Sequence, residues 1–514
     1  MATNPWYRSR TILLAAAVAL PPAGLALLWA RRGTGVFAKL LGSVAIAGIG
    51  ITELVLLFGL RAEMDGSGIS PIVSFYKPDS HYAELERDRA RPRPVRAKTL
   101  EEVEVVKRLV DVRPAAETGS AYWTDFRGPQ RDGRYEEAPI RTDWPPEGLP
   151  LAWRQPVGGG YASFVVAEGS AFTIEQRRGQ EVVAAYDLET GRQRWTNSWD
   201  AEFREAMGGN GPRATPTWHQ GRVYALGALG EFRCLDAKTG KVLWSKNILT
   251  DNGAANVQWG MSASPLIVDE KVIVLPGGPG GRSVVAYHKV TGERVWSAQD
   301  DQQAYTSPMV ATLAGRRQLV VVSARRAMGL TVEDGALLWE HPWVTEYNVN
   351  SAQPLIVGES RVFISAGYGH GGTMLEVTRD GAGFAARVVW ANTSMKAKFN
   401  GPVLHEGYIY GLDEGILACV DAATGERKWK GGRYGYGQVL LASGHLVIQA
   451  EDGDLALVKA TPQQHLEVAR FPAIEGKTWN NPALAGGRLL VRNTTEMACF
   501  RVGKQSEVRS GKSE

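Results

Sequence analysis

Asp187-Leu-Glu-Thr-Gly-Arg-Gln-Arg-Trp195 recurs as Asp236-Ala-Lys-Thr-Gly-Lys-Val-Leu-Trp244, His288-Lys-Val-Thr-Gly-Glu-Arg-Val-Trp296 and Asp421-Ala-Ala-Thr-Gly-Glu-Arg-Lys-Trp429. A degenerate copy at 331–339 keeps Gly335 and Trp339. The chemistry is that of a hairpin: an apolar strand runs into an Asp that bonds backbone amides in an Asx turn. The Gly supplies a positive φ, and the next strand ends on a large aromatic plug.

Working outward, the large aromatics Trp153, Trp195, Trp244, Trp296, Trp339, Trp390, Trp429 and Phe471 stand 39 to 52 residues apart. Between them, apolar strands start near Pro216, Pro265, Pro308, Pro354, Pro402 and Pro482, followed by β-rich runs such as Arg222-Val-Tyr-Ala-Leu226. Four short strands at this period make one propeller blade. After Phe471 only three strands remain, and their fourth is available at Leu151-Ala-Trp153. The expected fold is therefore all-β, an eight-bladed β-propeller over 122–502 whose two chain ends pair in one blade. Closure removes exposed sheet edges without a disulfide or metal. Cys234, Cys419 and Cys499 each fall in the third strand, where other blades carry Ala185, Ala286 and Gly329. They are expected to be buried, separate and inert.

The Asp-x-x-Thr-Gly-x-x-x-Trp copies, the blade-end tryptophans and the leading segment Phe126-Arg-Gly-Pro-Gln-Arg-Asp-Gly133 resemble the PQQ-like (quinoprotein-type) β-propeller repeat family of bacteria. That resemblance implies a fold more than a function, because the family holds pyrroloquinoline-quinone dehydrogenases and cofactor-free scaffolds similar to the assembly protein BamB. The chain departs from both patterns. It has no cysteine before Cys234 for a lipid anchor, and no adjacent cysteine pair of the kind many quinoprotein alcohol dehydrogenases hold against the quinone.

Ligands of propellers sit at a channel mouth, lined here by the segments that enter each innermost strand. Those segments are polar and aromatic: Arg213, Trp259, Gln303, Tyr305, Asn348, Asn350, Lys396, Lys398, Asn400, Tyr434, Tyr436, Lys477, Trp479 and Asn480. Such a ring suits a planar anionic quinone, through stacking and cation–carboxylate bonds, and equally a peptide; a plain polar rim around water has the same composition. Two long connections, carrying Gly208-Gly-Asn-Gly211 and Asn252-Gly253, are expected to overhang the same face. A PQQ enzyme also needs Ca²⁺ held by hard oxygens and a carboxylate base. The ring is rich in amides and poor in acids, with Asp300, Asp301 and Glu346 only upstream of it. No metal is expected, and no cofactor except PQQ with Ca²⁺ under the dehydrogenase alternative. The leading expectation is a non-catalytic binding or assembly scaffold of the bacterial cell envelope with a protein or peptide partner. The alternative is a membrane-bound PQQ-dependent dehydrogenase oxidising an alcohol or sugar.

The N-terminal 62 residues read as a membrane anchor. Residues 11–30 carry no charge, and 40–60 are apolar apart from Glu53, so each is long enough to cross a ~30 Å hydrocarbon layer as a helix. The reading is two transmembrane helices contacting the lipid bilayer, with Gly42, Ser43, Ala47 and Gly48 allowing close helix packing. Arg31, Arg32 and Lys39 favour a cytoplasmic loop, which puts the propeller on the periplasmic side of the inner membrane in a multi-pass arrangement. A one-charge difference leaves the cytoplasmic arrangement as the competitor. Residues 63–121 read as a polar linker with a solvated arginine-rich stretch and a short helix at 100–111, and 503–514 as a disordered tail.

The net charge of +4 has one source: residues 1–60 hold Arg8, Arg10, Arg31, Arg32 and Lys39 against Glu53 alone. The rest of the chain is electrically balanced, which excludes a nucleic-acid partner recognised by charge.

Overall fold

The computed structural model describes residues 9–31, 33–90, 122–381 and 383–503. The chain divides into two compact units, 1–81 and 82–514. The expected helix at 100–111 and the tail after 503 lie outside the described residues.

The second unit is the eight-bladed propeller. Blades 1 to 7 occupy 165–200, 217–247, 266–298, 309–342, 355–392, 403–433 and 438–472, each an antiparallel meander of four strands in chain order. Blade 8 combines Ala483–Ala485, Arg488–Arg492 and Glu496–Arg501 with Leu151–Pro156 from before blade 1, so the ring closes as the sequence predicts. Arg134–Tyr135 adds a short parallel strand to the inner edge of blade 7, which the repeat does not announce.

The repeat motif works between blades. In the ladders, Trp195 pairs with Ala185, Trp244 with Cys234, Trp296 with Ala286, Trp429 with Cys419 and Trp153 with Cys499. Ala or Cys stands there in these five blades, whereas blade 5 sets Met374 opposite Trp390. Each of these indoles then donates its Nε1 hydrogen to a carbonyl in the following blade's turn, for example Trp195 to Ala237 (2.9 Å), Trp429 to Thr461 (2.8 Å) and Trp153 to Leu188 (2.9 Å). The Asx turn forms as expected: Asp236 Oδ1 accepts from the Thr239 amide (2.8 Å) and hydroxyl (2.7 Å). In blade 3 the His288 Nδ1 takes the Asp role, accepting from Thr291 N at 3.2 Å. Trp339 differs, donating within its own blade to Gln318 Oε1 (2.5 Å).

The first unit holds α1 (Arg10–Ala19), α2 (Pro21–Ala30) and α3 (Val36–Phe58). Among the described residues only α3, with 23 residues, is long and apolar enough to cross a membrane. The first expected span is instead two ten-residue helices, each only about 15 Å long. The reason is the Pro21-Pro22 pair, which removes backbone donors and forces Leu20 out of the helical region (φ −152°, ψ 77°). The small-residue packing holds: Ser43 Oγ accepts from Trp29 Nε1 (2.9 Å), and a Cβ on Gly42 would come within 2.8 Å of Leu28.

The expected polar linker is more structured than its composition suggests. Strands β1 (Leu60–Met64) and β2 (Pro71–Phe75) form an antiparallel hairpin, and α4 (Pro78–Ala90) follows. Near the end of α4, Arg89 is not a solvated side chain: it donates to Gln155 Oε1 and the Pro156 carbonyl, both at 2.7 Å, on the strand that closes the ring. Glu86 pairs with Arg178 at 2.9 Å.

Candidate functional site

Along the innermost strands the channel has three levels. Farthest from the mouth, the leading segment 122–135 crosses the axis and fills it with two arginines, Arg127 and Arg131, only 1% and 2% exposed. Arg131 donates to the carbonyls of Ser264 (3.1 Å), Pro308 (3.0 Å) and Pro265 and to Thr217 Oγ1 (3.3 Å), while Arg127 donates to the carbonyls of Pro402 (3.0 Å) and Val439 (3.4 Å). One short segment thus ties together five blades. Burial lowers both guanidinium pKa values, that of Arg127 to about 10; beside Arg131, burial of Asp125 pushes its carboxyl up, against the pull of the arginine.

Above the arginines runs a belt of inter-blade bonds. Ser163 N donates to Thr215 Oγ1 (2.9 Å), Thr215 N to Ser264 Oγ (3.0 Å), Ser264 N to Ser307 Oγ (2.9 Å) and Ser307 N to Gln353 Oε1 (3.2 Å). Gln438 Nε2 donates to the Trp479 carbonyl (2.8 Å), and Asn480 Nδ2 to those of Gly160 (3.1 Å) and Ala162 (3.0 Å). Side-chain oxygens of Gln303, Asn350, Gln438 and Asn480 are buried here without a protein hydrogen-bond partner.

The third level is an arc of rings. Trp479 stacks on Tyr161 (5.3 Å) and touches Phe399 (4.9 Å); Phe399 meets Tyr436 (5.9 Å), and Tyr368 meets Tyr347 (5.6 Å). Lys398 Nζ sits over Tyr368 (4.2 Å), Tyr436 (5.1 Å) and Phe399 (5.3 Å), and joins the two parts. Lys477 lies over Trp479 (4.4 Å), and Arg213 over Phe203 (4.7 Å) and Tyr161 (5.4 Å). Trp259 packs edge-on against Tyr305 (5.7 Å). Burial, with the neighbouring Tyr305 and Tyr347 hydroxyls, pushes the Tyr368 phenol up to about 12. Glu451 is the acid of this level, accepting from Trp479 Nε1 (2.7 Å) and Tyr436 N (3.1 Å).

The arc therefore brings together Arg213, Lys398, Tyr436, Lys477 and Trp479 of the expected ring, with Trp259 and Tyr305 as a second pair. It does not bring in the others. Lys396 is tied to Glu414 (3.1 Å) and Asp413 (3.4 Å), and Tyr434 is buried with its hydroxyl on Glu467 (2.5 Å). Asn400 spends its amide on the Leu412 backbone, Asn348 is a turn residue at φ 55°, and Gln303, Asn350 and Asn480 lie in the buried belt. Sequence reasoning missed Tyr161, Phe203, Tyr368, Phe399 and Glu451. Tyr161 and Phe399 stand at strand-entering positions and were findable by extending the ring to every residue of those segments. Tyr368 and Glu451 come from hairpin loops with no repeat signature.

The donors that a quinone-bound Ca²⁺ would require do not fit here. Among the described residues no three of His, Cys, Asp and Glu cluster at ligating distance. Both Glu451 oxygens accept bonds from Trp479 and Tyr436, and Asp301 is held by Arg326 (2.5 Å).

The blades, their turn-to-tryptophan bonds and the axial segment define an eight-bladed propeller of PQQ-like repeats. The family model described as outer membrane protein assembly factor BamB matches residues 178–431, within those blades. Over that stretch, just under half of the chain, the repeats are similar to those of the PQQ-like β-propeller family. It is 23% identical over 312 residues to the outer membrane protein assembly factor BamB of Bordetella pertussis, covering 58% of this chain and 72% of that one. Its similarity to the Yersinia pestis protein of the same name is 23% over 260 residues, 46% of this chain and 60% of that one. Among solved structures, BamB from Moraxella catarrhalis superposes with TM-score 0.50 at 15% identity, covering 68% of this chain and 99% of that one. The quinohemoprotein alcohol dehydrogenase of Comamonas testosteroni gives 0.56 at 14% identity, covering 83% and 85%. At these identities the structural likenesses speak for the fold alone.

Proposed function

We propose that this protein is a membrane-anchored propeller scaffold of the bacterial cell envelope that binds a protein or peptide segment at its aromatic mouth. The observation that carries the reading is the arc of Tyr161, Trp479, Phe399, Tyr436 and Tyr368 around Lys398, above a channel filled by Arg127 and Arg131. Rigid aromatics with cations between them suit a peptide. The curated relatives, named as outer membrane protein assembly factors, support a partner in that process. In this reading α3 crosses the inner membrane with the 11–30 stretch beside it, and Arg31, Arg32 and Lys39 at its N-terminal end keep that end cytoplasmic. The propeller is then periplasmic.

A photo-crosslinking amino acid placed at Tyr436 or Trp479 in intact cells tests this, with Val242 on an outer strand as control. Adducts to a β-barrel assembly component or an unfolded outer-membrane chain, at the mouth positions only, are the expected result. Mouth positions that give no more adduct than Val242 overturn it. So does stoichiometric retention of pyrroloquinoline quinone with alcohol- or sugar-dependent dye reduction.

A further inference from the structure

The β1–β2 hairpin is two-faced in a way its polar composition hides. The register pairs Leu60 with Phe75, Ala62 with Val73 and Met64 with Pro71. Side chains alternate across a strand, so these six residues share one face, and every one is apolar. The opposite face carries Arg61, Glu63, Ile72 and Ser74. Most of the apolar face is uncovered: Phe75 is 65% and Val73 61% exposed and Ile69 at the turn 79%, while Leu60 and Met64 next to α3 and the turn are half-buried. The turn is firmly built, with Asp65 Oδ1 accepting from Ser67 N, Gly68 N and Ser70 N at 3.1 to 3.3 Å. The hairpin is thus a rigid element holding an apolar surface outward, not a collapsed piece of linker.

Its position says what covers that surface. Leu60 follows the last residue of α3 by only two positions, and the Gly59 N–H closes the helix onto the Leu54 carbonyl. Two residues span about 7 Å at most, so if α3 crosses the bilayer the hairpin starts within the headgroup layer. The flanking residues are those of a membrane boundary: Tyr76, with Arg61 lying 5.1 Å over its ring, then Lys77. A two-stranded hairpin has unpaired edges and cannot enter hydrocarbon, but at the headgroup level water and phosphate oxygens satisfy those edges.

We infer that the β1–β2 hairpin is an interfacial foot that lays Val73, Phe75 and Ile69 into the headgroup–acyl boundary of the bilayer, with Arg61, Glu63 and Ser74 facing water. The inference rests on the proposed crossing of α3. The foot fixes the level at which the chain leaves the membrane.

The three native cysteines are buried, so a single surface cysteine can be labelled selectively in the intact chain. Full-length variants Val73→Cys, Phe75→Cys, Ser74→Cys and, within α3, Val44→Cys, each carrying an environment-sensitive nitrobenzoxadiazole label, are reconstituted in phosphatidylethanolamine–phosphatidylglycerol vesicles containing nitroxide lipids. Shallow nitroxides are expected to quench the labels at 73 and 75 at least about twofold more than that at 74, as for groups ~5–10 Å into the interface. Deep nitroxides are expected to quench the label at 44. Quenching at 44 with none at 73 and 75 overturns the foot and keeps the span, whereas no quenching at 44 overturns the span reading itself. Equal quenching at 73 and 74 removes the two-faced arrangement. Concentration-dependent shielding of 73 and 75 in detergent, without lipid, assigns the face to a second copy of the chain instead.

Discussion

Gly240 of blade 2 lies against the face of Trp195 of blade 1, where a Cβ would stand 2.5 Å from the indole Cε3 and where φ is +72°. The same contact joins Gly191 to Trp153, Gly292 to Trp244, Gly335 to Trp296 and Gly425 to Trp390. The Thr-Gly of the repeat is thus both a turn and a seat for the neighbouring blade's tryptophan. Gly240→Ala pays for backbone strain and for overpacking, together roughly 2–4 kcal/mol. Gly221, at φ +74° with open space around it, gives the control: Gly221→Ala is expected to lose only about 1 kcal/mol. Urea denaturation of the two variants separates the contributions, and equal losses would show that the indole contact adds nothing.

These contacts explain what was legible in the chain. Asp, Thr, Gly and Trp at fixed offsets encode a bonded unit that repeats, so blade number, closure by Leu151–Pro156 and the cysteine positions could all be read. The mouth could be read only in part, because the repeat fixes where strands begin but not which side chains turn inward: Lys398 meets the rings while Lys396, two residues earlier, turns to Asp413 and Glu414. Tyr368 and Glu451 reach the site from loops whose length the repeat leaves free. At the N-terminus, apolar composition masked the Pro21-Pro22 break, and charged composition masked both the amphipathic hairpin and the docking of Arg89.

Asp125 accepts from Arg131 Nε (3.2 Å) and Nη2 (3.1 Å) inside the channel. Removing one partner strands the other charge, so Arg131→Met is expected to cost roughly 3–5 kcal/mol, and adding Asp125→Asn to recover part of the loss. In the single variant Asp125 can only neutralise by taking up a proton, so the loss should shrink as pH falls. Denaturation of the singles and the double at neutral and acidic pH measures both effects; strict additivity would mean the pair is uncoupled.

At the ring-closing seam, burial alone would raise the Glu175 carboxyl, but Arg177, Arg492 and Arg89 overcome it and hold the pKa at about 2, below the ordinary 4.5. The unfolded chain therefore binds this proton first as pH falls, and the stability from the group, about 3 kcal/mol, is present above pH ~4.5 and lost from there down towards pH ~2. Glu175→Gln should be less stable than the parent at pH 7, with a gap that narrows through that window. Melting curves across the acid range test it, and a gap independent of pH would refute the assignment.

Cys234, Cys419 and Cys499 lie in blades 2, 6 and 8 beneath the blade-end tryptophans, and burial pushes their thiols up to about 11, 11 and 12. At pH 8 a thiol of pKa about 11 is ionised to only about one part in a thousand, and the thiolate is the reacting species. The native protein is expected to release essentially no thionitrobenzoate from Ellman's reagent over hours, and about three equivalents in denaturant. The packing argument sharpens the test. Cys234 pairs with Trp244, so Cys234→Ala is expected to cost about 1 kcal/mol for the small cavity, whereas Cys234→Phe, larger than the Met374 that blade 5 holds opposite Trp390, overpacks the seat and costs more. Reversal of that order would show that the sulfur, rather than the size of the residue beneath the indole, is what the position requires.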